Sequence, residues 1–464
     1  MDRIPSYQAT IEVETLSERN ATTRLVDKIS ELKGAVTGID TIRSTQDKLV
    51  LHITVACKSF KHATRIHAAL DELEGTHVVS VTDAVLQVHL GGKIEVGLKR
   101  PLKTRQDLSR IYTPGVARVC NLIADNPERA YKYTIKRNTV AVVTDGTAVL
   151  GLGDIGPKAA MPVMEGKAAL FKNFADVDAW PICLDTKDTD EIVAIVKALA
   201  PGFGGINLED ISAPRCFEIE RRLREELDIP VFHDDQHGTA VVVLAALINA
   251  LKLVNKKIED VRIVVSGVGA AGNAIIQLLM HEGARDIVGY GRNGALGKFR
   301  KEDNVDRQWL AEHTNPRGVQ GTLKEGIKDA DVFIGVSAAN ILTGDDIATM
   351  ADDAIVFALA NPDPEVDPIE AGKHAAIVAT GRSDFPNQIN NVLVFPGVFR
   401  GLLDIHATTV TDEMLAVAAH AIAEVVQPEE LNPNYIIPGV FREHMSQYVA
   451  QAIKEEYAVE HPKN

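Results

Sequence analysis

Two acidic clusters carry the most direct chemistry in this sequence. Glu209-Asp210 is the first. Asp234-Asp235 is the second, inside His233-Asp234-Asp235-Gln236-His237-Gly238-Thr239-Ala240. Four carboxylates converging near one helix start suit a hard divalent cation, because Mg²⁺ and Mn²⁺ prefer oxygen ligands. Two other readings compete. His233 and His237 lie four apart, the spacing of zinc sites built on helices, but Asp-Asp-Gln intervenes and Gly238 weakens a helix there. Alternatively, a carboxylate caps the helix starting at Thr239 without any metal. Capping needs one carboxylate, however, and Glu209-Asp210 is a second acidic pair.

A dinucleotide fingerprint follows. Val261 to Ser266 reads as a strand, Gly267-Val268-Gly269-Ala270-Ala271-Gly272 follows at once, and Asn273 to His281 reads as a helix closed by Gly283. Strand, glycine loop and helix stand in the required order. Gly267, Gly269 and Gly272 let backbone approach the pyrophosphate. Ala270 and Ala271 stand in the same loop as candidate cofactor contacts, and the N-terminus of the following helix favours the pyrophosphate's charge. The next strand, Asp286 to Tyr290, ends in Gly291-Arg292. NAD units carry Asp or Glu there for the ribose; its absence beside Arg292 leans towards NADP. With Arg292 turned to solvent, NAD and NADP would both serve.

Gly151-Leu152-Gly153-Asp154-Ile155-Gly156 also spells the fingerprint, after a strand from Thr139 to Thr144. Pro157 and Pro162 are expected to keep this loop from opening directly into a long helix, so it is rejected as the dinucleotide site. The helix is expected to begin near Met164.

That helix carries Lys167 among small and apolar residues, Met164-Glu165-Gly166-Lys167-Ala168-Ala169-Leu170. Burial there is expected to lower its pKa and make it a usable base. A snorkelling surface lysine is the alternative. Tyr112, before Thr113-Pro114-Gly115, sits on a turn where its hydroxyl can face a cleft or bond backbone. Asn361, before Pro362, and Asn391 lie at loop positions where an amide can bond a substrate carboxylate or the nicotinamide; turn chemistry is the alternative. Metal ligands beside a dinucleotide loop indicate an oxidoreductase that also uses a Lewis acid.

The elements that must position these residues follow from patterning. Residues 7 to 90 read β-α-β-β-α-β, with strands at 7–14, 36–42, 48–56 and 78–81 and helices near Ile29 and over 59–73. This ferredoxin-like order resembles an ACT domain, a small-ligand regulatory module; a purely packing or oligomerising role is the alternative. Leu90-Gly91-Gly92-Lys93 reads as a hinge. An α/β substrate and metal domain is expected over 91–238, where Phe217 to Leu227 reads as an amphipathic helix with a solvated charged face. A Rossmann-type domain is expected over 239–464, with helices from Asp412 and Arg442 packing back. The fold class is α/β.

The chain has 464 residues, with 49 Lys+Arg against 64 Asp+Glu and a net charge of −15. That excludes a general nucleic-acid or membrane-surface binder. Its four cysteines are scattered, which suits a reducing cytoplasm. The N-terminus lacks a signal-peptide pattern. Thr239 to Leu251 is too short to span a membrane and reads as a buried helix.

From Lys93 onward the chain resembles the bacterial malic enzymes, and the N-terminal unit resembles an ACT domain. The resemblance rests on Ser109-Arg110-Ile111-Tyr112-Thr113-Pro114-Gly115-Val116-Ala117, Pro162-Val163-Met164-Glu165-Gly166-Lys167-Ala168, Asn207-Leu208-Glu209-Asp210-Ile211, His233 to Ala240, and Asn390-Asn391-Val392-Leu393-Val394-Phe395-Pro396-Gly397. It implies oxidative decarboxylation of malate to pyruvate with NAD or NADP and Mg²⁺ or Mn²⁺. It makes Tyr112 the general acid, Lys167 the general base, and Glu209, Asp210 and Asp235 the metal ligands, with Asp234 beside them as a catalytic residue. Asn361 and Asn391 would contact substrate. Eukaryotic members carry an arginine for the substrate carboxylate where this chain has Ala148. A homo-oligomer, dimer or tetramer, is expected, with a metabolite effector at the N-terminal unit. The competing functions are a malolactic-type enzyme and a ligand-sensing regulatory protein with a dead catalytic body.

Overall fold

In β1 (Tyr7–Leu16) alternate residues Ala9, Ile11 and Val13 are buried, as expected of a strand with one covered face. The computed structural model describes residues 7–302 and 304–461. By internal contacts the chain divides into two units, Met1–Val96 and Gly97–Asn464.

In the first unit β1 is followed by α1 (Ala21–Glu31), β2 (Ala35–Ser44), β3 (Lys48–Cys57), α2 (Phe60–Asp71), β4 (Thr76–Asp83) and α3 (Ala84–His89). The strands form one antiparallel sheet in the order β2-β3-β1-β4, with Ile11 opposite Ile53 and Val81. Leu25 and Ile29 of α1 and Ile66 and Leu70 of α2 join Ile11, Val13 and Ile53 in one buried cluster. The β-α-β-β-α-β order matches the patterning. Helix α3 was not expected; Asp83 caps it by accepting from Val85 N and Leu86 N.

The second unit starts with three helices, α4 (Arg105–Ile111), α5 (Val116–Asp125) and α6 (Arg129–Tyr133), none of which has a buried residue. Then come β5 (Thr139–Thr144), α7 (Pro157–Ala175), β6 (Asp178–Cys183), α8 (Thr189–Leu199), β7 (Gly205–Leu208), α9 (Arg215–Glu226), β8 (Val231–His233) and α10 (Thr239–Val254). The sheet is parallel in the order β6-β5-β7-β8. Every residue of β5 is buried, as in a parallel strand covered on both faces.

Helix α7 corrects one expectation. It begins at Pro157, directly after Gly156, and Pro162 lies inside it. Proline is tolerated in the first turn because its missing N–H would have no helical partner there and its φ is already helical. The second glycine motif therefore does open into a long helix, and the proline objection to it falls.

A second parallel sheet follows, in the order β11-β10-β9-β12-β13-β14, with only β11 antiparallel. Its strands are β9 (Arg262–Ser266), β10 (Asp286–Gly291), β11 (Gly294–Ala295), β12 (Val332–Gly335), β13 (Ile355–Ala358) and β14 (Ile377–Thr380). This is a Rossmann-type sheet, whose order reverses between β9 and β12. Helix α11 (Ala270–His281) follows β9; α12 (Val305–His313), α13 (Leu323–Gly326), α14 (Gly344–Ile347) and α15 (Pro368–Ala371) connect the later strands. The chain ends with α16 (Phe395–Ile405), α17 (Asp412–Glu424) and α18 (Met445–Glu460).

Helix α10 joins the two sheets. Val241, Val243, Leu244 and Leu247 are fully buried in a core shared with Ile263, Ile275, Phe399 and Ile422. The stretch Asp234–Val254 is long and apolar enough to cross a membrane by composition, yet it is mostly buried inside this core. Phe171 packs edge to face on Phe395 and Phe399, and Phe232 of β8 packs edge to face on Phe399. Each such ring contributes about 1.5–3 kcal/mol on burial.

Candidate active site

Lys167 is the centre of the site. It lies on α7, one turn beyond Met164, and only 7 % of it is exposed. Its Nζ stands 2.6 Å from Asp234 Oδ2, 3.0 Å from Glu209 Oε1 and 4.1 Å from the centre of the Phe395 ring. Burial was expected to lower its pKa. Burial does act in that direction, but Asp234 and Glu209 outweigh it and the ammonium is held above its ordinary range. The sequence-based expectation fails because it counted burial and not the carboxylates that α7 brings Lys167 against.

The carboxylates come from two strand ends. Glu209 and Asp210 follow β7, and Asp234 and Asp235 follow β8. Asn207 fixes Glu209 by donating from Nδ2 to Oε2 at 2.9 Å. Asp235 Oδ2 accepts from Asp210 N at 2.8 Å, which ties the two loops together. Oxygens of Glu209, Asp210 and Asp235 lie within 4.8 Å of one another. Asp210 Oδ2 and Asp234 Oδ1 are buried without a hydrogen-bond partner. Burial and mutual repulsion push Glu209, Asp210 and Asp235 well above the usual carboxylate range. Burial raises Asp234 to about 7, against the pull of Lys167.

Residues 234–238 make a single π-helical turn that runs straight into α10. Such turns recur at functional sites. Here the turn carries Asp234 and Asp235, and Gly238 is needed within it, because a Cβ there would overlap Asp234 Oδ1. Asn391 donates from Nδ2 to Asp234 Oδ2 at 2.5 Å. Neither histidine belongs to the group of oxygens formed by Glu209, Asp210 and Asp235. His237 Nε2 bonds Glu220 Oε1 at 2.8 Å. His233 is fully buried, and burial lowers it to about 4, so it stays neutral.

Glu220 was missed in the sequence. Helix α9 reads as charged and solvated, but Glu220 is buried, and accepts also from Gln236 Nε2 at 3.0 Å and His233 N at 3.2 Å. The signal was its place on the face of Cys216, Ile219 and Leu223, which are all buried. Burial opposes its ionisation, but His237 holds it below the usual carboxylate range. Arg215, at the start of the same helix, reaches Asp145 Oδ2 at 2.8 Å and Thr147 Oγ1 at 3.0 Å. Thr147 Oγ1 in turn accepts from Ser212 N at 2.9 Å. These bonds pin the loop that carries Glu209 and Asp210.

Not every expected residue joins this cluster. Tyr112 is 64 % exposed at the end of α4, and its hydroxyl has no hydrogen bond among the described residues. Asn361 is exposed on the loop after β13, and its carbonyl passes 3.7 Å from the Cβ position of Gly151. Ala148 donates its N–H to Asp210 O at 2.9 Å.

The dinucleotide loop has the expected form. Gly267 has φ +96°, and a Cβ there would overlap Val336 O; a Cβ on Gly272 would overlap Gly267 O. Gly269 has open space where its side chain would be, so a ligand can approach the backbone. Helix α11 starts at Ala270 without a side-chain cap, which leaves its first N–H groups for an anion. Arg292, just past β10, is exposed. Asp286 opens β10 and pairs with Arg317 at 2.7 Å.

Comparison with known proteins assigns the chain to a family. Residues 91–224 match the family model "Malic enzyme, N-terminal domain", and residues 236–458 match "Malic enzyme, NAD binding domain". A NAD-dependent malic enzyme of Geobacillus stearothermophilus is 59 % identical over 92 % of this chain and 89 % of its own. A bifunctional malic/malolactic enzyme of Bacillus subtilis (strain 168) is 53 % identical over 81 % of this chain and 92 % of its own. The crystal structure of a NAD-dependent malic enzyme from Thermotoga maritima superposes with a TM-score of 0.77 and 51 % identity, covering 80 % of this chain and 99 % of that one. The chain belongs to the malic enzyme family.

Proposed function

We propose that this protein oxidises malate with NAD or NADP and decarboxylates the product to pyruvate and CO₂. The observation that carries this is the burial of Lys167 between Asp234 and Glu209, beside a carboxylate triad, on a helix whose Met164 and Ala168 share one core with Ile275 of the dinucleotide helix α11. A divalent cation fits Glu209, Asp210 and Asp235, because they crowd their carboxylate oxygens together and leave the buried Asp210 Oδ2 without a partner. When bound, Mg²⁺ or Mn²⁺ supplies Lewis acidity towards the substrate's carboxylate and C2 oxygen.

The remaining steps belong to the chain's own residues. Asp234, 2.6 Å from Lys167 Nζ, is placed to hold the lysine's proton. The freed amine takes the proton of the C2 hydroxyl as the C2 hydride leaves to the nicotinamide. Breaking C3–C4 then releases CO₂ and leaves an enolate, which Tyr112 protonates at C3. That role for Tyr112 rests on its motif and requires its hydroxyl to approach the cluster. Asn391, held on Asp234, and Asn361 are assigned to the substrate. Helices α4 to α6, which bury no residue by themselves, support a homo-oligomer. Four unpaired cysteines support a cytoplasmic setting.

An assay with malate, Mn²⁺ and either dinucleotide tests the proposal. Pyruvate, CO₂ and reduced dinucleotide in equal amounts are expected. Lactate without free reduced dinucleotide would indicate malolactic chemistry instead, and no turnover would leave only a sensing role.

For the first unit we propose an ACT-like regulatory role, supported by its β-α-β-β-α-β order and by helices covering one face of the sheet. Removing Met1–Val96 is expected to leave malate turnover and to abolish its response to small metabolites.

A further inference from the structure

Glu365 lies outside the metal cluster, and the mechanism above does not use it. It is fully buried, seven residues after the end of β13. No cation pairs with it among the described residues. Instead its carboxylate accepts from Ser337 N at 2.7 Å, from Ser337 Oγ at 3.2 Å and from Ala360 N at 3.0 Å. Its own carbonyl accepts from Leu342 N at 3.0 Å, and the neighbouring Pro364 carbonyl accepts from Asn340 N at 2.9 Å. Burying an unpaired carboxylate is costly, so three donors on one such group indicate a place where the loops must be held. Burial pushes the carboxyl upward, and the two backbone N–H groups oppose that.

The tied loops are those at the crevice of the Rossmann-type sheet. Ser337 follows β12, and its Oγ lies 2.9 Å from Ser266 Oγ, the last residue of β9. The Cβ of Gly267 would overlap Val336 O, so the loop before Ser337 packs directly on the first fingerprint glycine. Ala360 follows β13 and is bonded covalently to Asn361. The carboxylate thus joins the ends of β12 and β13, and Ser337 joins both to β9. Ligands of such sheets bind outside these strand ends, where the order reverses. Gly335 has no side chain at the point where a Cβ would overlap the Glu365 carboxyl group, so the strand is built to admit it.

We infer that Glu365 is a positioning residue for the dinucleotide, holding the Ser337 and Asn361 loops in the geometry that receives its nicotinamide half. This rests on the dinucleotide-binding reading of the Gly267–Gly272 loop.

The test is Glu365→Gln in the full chain, titrated with NADH and NADPH by ligand fluorescence and, separately, with Mn²⁺ by the paramagnetic signal of the free ion. Glutamine keeps the size but turns an amide NH₂ against one of the donors. The dissociation constant for reduced dinucleotide is expected to rise about tenfold, as loss of one charge-assisted bond predicts, while that for Mn²⁺ stays within about twofold. Ser337→Ala, which deletes only the Oγ bonds, is expected to weaken dinucleotide binding about threefold by the same reasoning. It decides the matter if the first variant does not fold. Unchanged dinucleotide binding in a folded variant, or equal weakening of dinucleotide and Mn²⁺, would overturn the inference. Failure of the parent protein to bind either dinucleotide would overturn the underlying reading instead.

Discussion

Lys167 Nζ and Asp234 Oδ2 stand 2.6 Å apart with both side chains almost wholly buried. A buried pair of this kind is weak evidence for stability, because desolvation offsets most of the attraction. It is better evidence that the lysine's proton is held at one fixed place, against Asp234. We expect Lys167→Ala to fold, with Asp234 taking up a proton of its own. We expect malate oxidation to fall by about 10²–10⁴ in kcat, as removal of a principal acid–base group does. Retained oxaloacetate decarboxylation would be compatible with this. Retained malate oxidation at the parent rate would sink the assignment.

Asp235 gives a separate test of the cation site. Its Oδ2 accepts from Asp210 N, and an asparagine can keep that bond through its carbonyl oxygen. Asp235→Asn therefore removes charge without removing the tie between the loops. Weaker Mn²⁺ binding, lost turnover and an unchanged circular dichroism spectrum are expected. Full activity of the parent protein after exhaustive chelation would count decisively against a metal.

Gly238 was named in the sequence only as a helix-weakening residue, and its role here is steric. A methyl group at this position must displace Asp234, which Lys167 and Asn391 hold in place. Overpacking of this kind costs about 1–3 kcal/mol. We expect Gly238→Ala to lower Tm modestly and kcat severely. Crystallography of the variant would locate the displaced carboxylate. Parent-level kcat would mean that the turn relaxes without moving Asp234.

The legible parts were those fixed by local pattern. The β-α-β-β-α-β order and the glycine loop of α11 follow from periodicity and turn residues, and the acidic pairs stand out by residue type and by their place before a helix start. Long-range contacts were less legible. Glu220 looks like one more charge on an amphipathic helix until β8 and the π turn close on it. The Lys167 environment depends on two loops that lie more than forty residues away along the chain. Pro157 misled because a helix start and a helix break use the same residue, and only the structure shows which one holds.

The raised carboxylates predict a pH dependence whose sign can be worked out. Without metal, the folded protein binds protons at Glu209, Asp210 and Asp235 more tightly than the unfolded chain does. Stability from these groups is therefore present at low pH and is lost as pH rises from the ordinary carboxylate range through the raised folded values. A divalent cation competes with those protons, so its affinity rises over the same interval. The gain in Tm on adding Mn²⁺ should be small near about pH 5 and several degrees larger near about pH 8. A gain independent of pH would show that the cation binds elsewhere.

Dinucleotide choice turns on the end of β10. The strand finishes at Gly291, where a carboxylate would bond the 2′-hydroxyl of NAD and repel the 2′-phosphate of NADP. The acid in this strand, Asp286, lies at its opposite end and is paired with Arg317. Gly291 thus removes the repulsion, and the exposed Arg292 is free of any described partner and within one residue of the strand end. A charge-assisted contact to the 2′-phosphate is worth about 1.5–3 kcal/mol, or roughly 10- to 150-fold in kcat/KM. We predict that NADP is used at least as well as NAD, and that Arg292→Ser lowers kcat/KM for NADP by at least about tenfold while leaving that for NAD nearly unchanged. A parent enzyme favouring NAD a hundredfold would refute the first prediction. An equal loss with both dinucleotides would refute the second, and would place Arg292 at the shared adenosine or pyrophosphate portion rather than at the 2′ position.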